Sequence, residues 1–263
     1  MSRGQSGVGV KSPQPRIRIG CAGWSIAAQH AHLFGQGASM LARYATRFDT
    51  TEINSSFYRP HQNKTYLRWA DSVPPDFRFS VKLPKSISHE LRLQCCAGPL
   101  DRFIGEIDGL ESKLQGILVQ LPPSMVFNAR IVSTFFAMLR RRTDAAIACE
   151  PRHVSWFDAN AMSIFERHAV NRAAADPALC AEAAKPGDHD SWRYWRWHGS
   201  PRMYYSDYPE TALSELAMQA IGGALPRITR WIIFDNTAHG HATTNAARLQ
   251  DLLSVPDPSR GNR

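Results

Sequence analysis

Apolar, β-branched runs alternate with amphipathic stretches along almost the whole chain, and this alternation does most to narrow the folds open to it. The runs fall at 17–20, 50–54, 78–82, 116–120, 145–150, 171–176, 192–198 and 229–235. Between them, 40–48, 100–114, 131–141, 159–169, 210–225 and 245–252 carry helical periodicity, whereas 177–190 is short and weakly periodic. Strands joined by helical crossovers run parallel, and roughly eight such units predict an α/β fold of the (β/α)₈ barrel type. At 263 residues the chain suits one domain, expected over 16–254. Residues 1–15 and 255–263, with Gly, Ser, Pro and basic residues, are expected to be disordered tails.

Several of these runs end in a polar residue: Glu52 and Asn54, Lys82, Gln120, Glu150, Asp176, His198, and Asp235 followed by Asn236. In a parallel barrel those ends meet at one mouth, where the βα loops build the site. Glu52, Lys82, Glu150, Asp176, His198 and Asp235 are therefore expected to share one cavity.

The net charge of +8 raises nucleic acid as a partner, but Arg3, Lys11 and Arg16 near the start and Asp257, Arg260 and Arg263 near the end account for half of it. Cys21, Cys95, Cys96, Cys149 and Cys180 form no CxxC pair and are odd in number, which argues against a disulfide framework or a zinc ribbon. The N-terminal stretch lacks the apolar run of a signal peptide, and no run approaches the roughly 20 apolar residues of a membrane span. A cytoplasmic protein with reduced thiols is expected, with no membrane partner.

The order of motifs narrows the fold further. IGCAGWS at 19–25, YATRFDTTEINSSFYRP at 44–60, FRFSVKLPKSISHELRL at 77–93, LVQLPPS at 118–124, CEPRHVSW at 149–156, Ala-Asp-Pro at 175–177, WRWHG at 195–199 and FDNTAHGHATTNA at 234–246 form an ordered series. It resembles the DUF72 (YecE-like) family between the tails. The resemblance implies a TIM-type barrel and carries no established biochemical function. Two departures stand out: Pro151 replaces an apolar residue, and Asp235 stands where Asn is usual.

Read residue by residue, Glu52 and Glu150 are candidates for paired acid–base carboxylates facing each other across the barrel, against the alternative of ion pairs with Arg or Lys. Glu150, Arg152 and His153 place an acid, a permanent cation and a group titrating near neutrality within four positions, and Arg152 suits a substrate carboxylate or phosphate. Lys82 suits an anionic substrate or an imine, but an ion pair with Glu52 on the adjacent strand is the favoured reading. His153, Asp176 and His198 complete the catalytic candidates. Trp24, Asn54, Tyr58, Arg152, Tyr205, Asp235, Asn236 and Gly240 are the candidates for substrate binding, and Phe57 and Trp156 are read as closing the core. The Asn236–Gly240 loop before the last helix is a candidate anion site. No cofactor is assigned; a divalent metal on Glu52, Glu150, His153, Asp176 and His198 is weighed and not favoured, since no HExxH motif anchors it. The leading expectation is an enzyme using acid–base chemistry, hydrolysis or isomerisation, on a small polar or phosphorylated substrate. The alternatives are a nucleic-acid-binding or nucleic-acid-processing barrel and a non-catalytic ligand-binding protein; the oligomeric state is left open.

Overall fold

The computed structural model describes residues 16–187, 192–222 and 228–254, so the expected tails, and 223–225 of the sixth helical stretch, lie outside the described residues. The strands are β1 (Ile17–Cys21), β2 (Thr50–Ile53), β3 (Arg78–Lys82), β4 (Leu114–Gln120), β5 (Ala146–Glu150), β6 (Val170–Arg172), β7 (Ala174–Asp176), β8 (Trp192–Trp197) and β9 (Thr229–Phe234). The α-helices are α1 (Met40–Tyr44), α2 (Asn63–Asp71), α3 (Ala97–Ile107), α4 (Ala129–Arg140), α5 (Ala159–Arg167), α6 (Glu210–Ile221) and α7 (His241–Ser254). The expected sixth strand is thus two short pieces broken at Ala173, and α2 is a helix the periodicity reading did not pick out.

Helix starts follow local chemistry. Ser39, Asn128 and Asp158 each accept a backbone N–H of the first turn, at α1, α4 and α5. In α4, Val132, Phe135, Phe136 and Leu139 recur at helical spacing and are all buried, so one stripe faces the sheet while the rest meets water.

All strand pairings are parallel. They form one sheet in the order β1-β9-β8-β7 and another in the order β2-β3-β4-β5-β6. The outer faces pack on the helices in the main core, with Phe79, Ile117, Ile147 and Ile232 buried among Leu100, Phe135 and Leu249. A smaller cluster holds Leu118, Ala148, Ala173, Trp192, Tyr194, Trp231 and Ile233. Tyr194 of β8 bonds Glu52 of β2 at 2.8 Å and Ser80 of β3 at 2.7 Å, so the inner faces of the two sheets meet across this cluster.

Between β1 and β2 the ladder is replaced by a side chain. The buried Tyr44 hydroxyl accepts the Cys21 N–H at 2.8 Å and donates to the Thr50 carbonyl at 3.0 Å. One bridge, Ala22 to Glu52, and a bond from Gly23 N–H to the Glu52 carbonyl follow. Gly20 is required here, because a Cβ would lie 2.1 Å from the Thr50 oxygen.

Several arginines are spent on backbone rather than presented to solvent. Arg18 bonds the Asp49 and Asp76 carbonyls, Arg140 those of Ala145, His168 and Ala169, and Arg230 those of Ala220 and Gly222 near the end of α6. Among the described residues no helix is long and apolar enough to cross a membrane.

Tyr44→Phe removes the acceptor of one buried N–H and the donor of one buried C=O while keeping the ring. The expected loss is about 2–4 kcal/mol in urea unfolding, from two groups left unpaired. A loss below about 1 kcal/mol rejects the seam role.

Candidate active site

The centre of the site is Arg196, on β8 and wholly buried. Its Nε and Nη2 grip Glu52 at 2.9 and 2.7 Å, its Nη1 meets Glu150 Oε2 at 2.7 Å, and Nη2 meets Asp235 Oδ2 at 3.0 Å. Three carboxylates from β2, β5 and the end of β9 thus converge on one guanidinium. Strand alternation makes this possible, because Trp192, Tyr194, Arg196 and His198 fall at every second position and point inward together.

His198, directly after β8, sits beside Arg196. Its Nδ1 is 3.0 Å from Asp235 Oδ2, and its Nε2 is 3.2 Å from Glu150 Oε1 and 3.0 Å from Arg152 Nη2. These last contacts exclude each other chemically: Nε2 accepts from Arg152 when unprotonated and donates to Glu150 when protonated. Arg152 in turn bonds Glu150 Oε1 at 2.5 Å. Among the described residues its Nη1 has only the Met203 thioether as a partner, 3.8 Å away.

Electrostatics follow from this packing. Burial pushes the Glu150 carboxyl up, but Arg152, Arg196 and His198 outweigh it and hold the group well below its usual value. Burial likewise opposes ionisation of Asp235, which Arg196 and His198 nevertheless keep low. Arg196 is held charged more firmly than usual against its own desolvation by Glu52, Glu150 and Asp235.

Lys82, the last residue of β3, is different. It is 5% exposed and lies 4.1 Å from the centre of the Phe57 ring, and among the described residues its ammonium has no ion pair or hydrogen-bond partner. The expected Lys82–Glu52 pair does not form, because the Arg196 fork and Tyr194 already occupy both oxygens of Glu52. Burial lowers the Lys82 pKa to about 8, helped by Arg196 and resisted by Glu52, Asp235 and Glu150. Phe57, assigned above to core closure, instead walls this amine, and His89 abuts the ring edge-on at 5.0 Å.

The remaining candidates are scattered. His153 caps the short turn 154–156 through Ser155 and does not stack on Trp156, which bonds the Met125 carbonyl. Asp176 accepts from Tyr208 at 2.7 Å rather than joining the cluster, since it pairs with Trp197 on the outward face while Ala175 pairs with the inward Arg196. Trp24 packs edge-on against Trp69, Tyr58 is 75% exposed, and Tyr205 lies under Arg202 and beside His239. Asn54 Oδ1 is buried without a partner.

At the centre of the expected cavity Glu52, Glu150, Asp235, Arg196 and His198 are bonded to one another. A cavity of about 470 Å³ lies to one side, lined by Cys21, Gly23, Gln29, His239, Gly240 and neighbours. The candidate anion loop borders it, but Ala238, Gly240 and Ala242 spend their N–H groups on Tyr204, Thr237 and Asn236 carbonyls. Asn236 itself ties the loop to Ser206 and Asn245. Nor do the five residues weighed as metal ligands gather: among the described residues no group of three or more His, Cys, Asp or Glu is placed to hold a metal.

Four contributors escaped the sequence reading: Arg196, Tyr194, Met203 and Tyr204. Tyr204 has a positive φ of 71°, uncommon for an aromatic residue, and sets its ring edge-on to His198 at 5.9 Å. With the half-buried Phe57, His89, Arg152 and Met203 it forms an accessible rim over a buried floor.

A family model described as "Protein of unknown function DUF72" matches residues 18–261. The chain belongs to the DUF72 family. It is 31% identical over 106 residues to UPF0759 protein YecE of Escherichia coli K12, a match spanning 40% of this chain and 38% of that relative. A DUF72 family protein of Enterococcus faecalis V583 superposes with a TM-score of 0.76 at 20% identity, covering 92% of this chain and 96% of that one. One of Thermotoga maritima MSB8 gives 0.75 at 21%, covering 91% and 100%. At such identities the DUF72 structures support the fold and leave the chemistry to the residues above.

Two outcomes check this site. Glu150→Gln withdraws one of three carboxylates from Arg196 and the carboxylate partner of Arg152, so it is expected to lose several kcal/mol of stability, on the order of 3. A parent-like melting temperature rejects the architectural role. For Lys82, the folded pKa lies below the unfolded value, so the unfolded chain binds more protons between about pH 8 and 10.5. Stability therefore rises with pH across that window, and the penalty is fully present below pH 8. Lys82→Met is expected to be more stable than the parent at pH 7, by on the order of 3 kcal/mol, with the gap closing by about pH 10.5. Parallel stability–pH curves for the two proteins contradict the assignment.

Proposed function

We propose that this DUF72 chain is an enzyme that performs acid–base chemistry on a small, polar, anionic substrate, with Lys82 as the group that moves the proton. The two sheets form one (β/α)₈ barrel in this reading, and the site is its C-terminal mouth. Support for closure comes from the Tyr44 seam and from Arg196, which ties β8 to β2, β5 and the end of β9.

The observation that carries the reading is Lys82. It is the one cation of the cluster, among the described residues, that no carboxylate holds, and a pKa of about 8 leaves it able to accept and return a proton near neutrality. Proton transfer at carbon, as in isomerisation, fits better than hydrolysis. Both oxygens of Glu52 and Glu150 are engaged, so neither carboxylate stands ready to activate water. Arg152, with one guanidinium nitrogen facing only a thioether, supplies the contact for a carboxylate or phosphate. Nucleic acid is the weaker reading, because buried arginines such as Arg18 and Arg230 direct donors to backbone carbonyls and away from a polyanion.

The test is proton exchange in heavy water. With a panel of 2-oxo acids, hydroxy acids and sugar phosphates, the native protein is expected to exchange the C–H next to the carbonyl of at least one class. The rate should rise as pH passes about 8 and fall on the order of 10²- to 10⁴-fold in Lys82→Met. No protein-dependent exchange, or equal exchange by Lys82→Met, overturns the reading.

A further inference from the structure

We infer that Lys82 is an imine-forming lysine, and that the substrate class is a small carbonyl compound carrying an anionic group, of the 2-oxo acid type. This deepens the acid–base reading and rests on it. The argument starts from what an amine needs in order to attack a carbonyl: an available lone pair, an apolar wall, a nearby path for protons and a place for the rest of the substrate.

Among the described residues no carboxylate or hydrogen bond holds the amine, whose charged form meets the face of the Phe57 ring instead. Lys82 has no carboxylate, hydroxyl or carbonyl partner among the described residues, although Glu52, Glu150 and Asp235 all act on it electrostatically. Arg196 keeps those carboxylates, and it outcompetes a lysine because its planar fork matches two oxygens at once. The wall is the Phe57 ring, 4.1 Å from Nζ, backed by His89. With a pKa of about 8, roughly a tenth of the amine is neutral at pH 7, on the order of 100-fold more than for an unperturbed lysine.

Proton carriers and an anion contact lie in the same cluster. His198 bridges Asp235 and Glu150, and its Nε2 can hold or release a proton according to whether Glu150 or Arg152 is its partner. The Arg152 Nη1 edge faces the rim. The charged groups that act on Lys82 are Arg196 of β8, Glu52 of β2, Asp235 after β9 and Glu150 of β5, and His89 after β3 feels the lysine in turn.

The step balances as a condensation. The neutral Lys82 nitrogen adds to the carbonyl carbon, forming a C–N bond, while the C=O π pair moves to oxygen, which takes up a proton. The nitrogen loses a proton to give the carbinolamine. Protonation of the hydroxyl then lets water leave, the nitrogen pair forms C=N, and the remaining N–H proton is lost or retained as the iminium. One water is released and nothing is oxidised or reduced.

The experiment uses the full chain, glyoxylate as the probe and cyanoborohydride to trap the imine as N-carboxymethyl-lysine, read by intact-mass and peptide mass spectrometry at pH 7. Carboxymethylation is expected at Lys82 at least about 10-fold faster than at the exposed Lys64, Lys85 and Lys185 or the partly buried Lys113, following the larger neutral fraction. Arg152→Gln should slow labelling by glyoxylate but not by formaldehyde, which has no anionic group. Labelling that follows exposure, leaving Lys82 unmodified in the native protein, overturns the inference without recourse to any variant. Loss of proton exchange in Lys82→Met alongside an unlabelled Lys82 overturns the imine and leaves the acid–base reading standing. A trapped adduct at Lys82 in a protein that exchanges no C–H of any carbonyl compound tested overturns the acid–base reading and, with it, this inference.

Discussion

A single buried guanidinium holds this molecule's functional end together. Three carboxylates brought into a low-dielectric interior would repel one another, and burial alone pushes Glu150 and Asp235 toward protonation. Arg196 reverses both effects by meeting all of them at 2.7–3.0 Å. Because its partners come from β2, β5 and the end of β9, it also fixes how the two sheets face each other. The same contact therefore serves architecture and site, and substitutions within the cluster act on stability and chemistry together.

That sharing explains which groups are free to react. Glu52 and Glu150 are saturated, and the carboxylate of Asp235 is shared between Arg196 and His198. Lys82 is left over, drawn close by the negative carboxylates yet bonded to none of them. An unpaired amine in a buried place is costly, and such cost persists where it serves a function. Tyr204, held at positive φ beside His198, is a second strained feature at the same rim.

Much of this could be read from the chain. The β-branched runs marked the strands to within a residue or two at most ends, since buried parallel strands carry near-continuous apolar patterns. Polar residues at the run ends identified Glu52, Lys82, Glu150, His198 and Asp235 as neighbours in space. Asp176 failed because it pairs with the outward Trp197, one residue out of phase with Arg196, and an Ala-rich segment carries no polar alternation to announce the face. The Lys82–Glu52 pairing failed because adjacent strands suggested it while a better donor stood across the sheet. A signal for that donor existed: three inward carboxylates require a cation, and Arg196 is two residues from His198, on the same face. His153 and Tyr58 sit in loops, where side-chain direction follows turn geometry that residue type does not specify.

The carboxylate at 235 bears on Lys82 itself. With His198 neutral, Glu52, Glu150 and Asp235 set three negative charges against Arg152 and Arg196, so the cluster is one charge short and a protonated Lys82 completes neutrality. With Asn at 235 the same groups would balance without Lys82, and its ammonium would be a surplus cation in a desolvated place. Asp235 raises the Lys82 pKa while burial and Arg196 lower it, and the value of about 8 is the outcome of that opposition. A carboxylate at this position therefore favours the protonated lysine, against burial and Arg196. The charge that binds His198 on one side thus favours, on the other, the protonated form of the free amine.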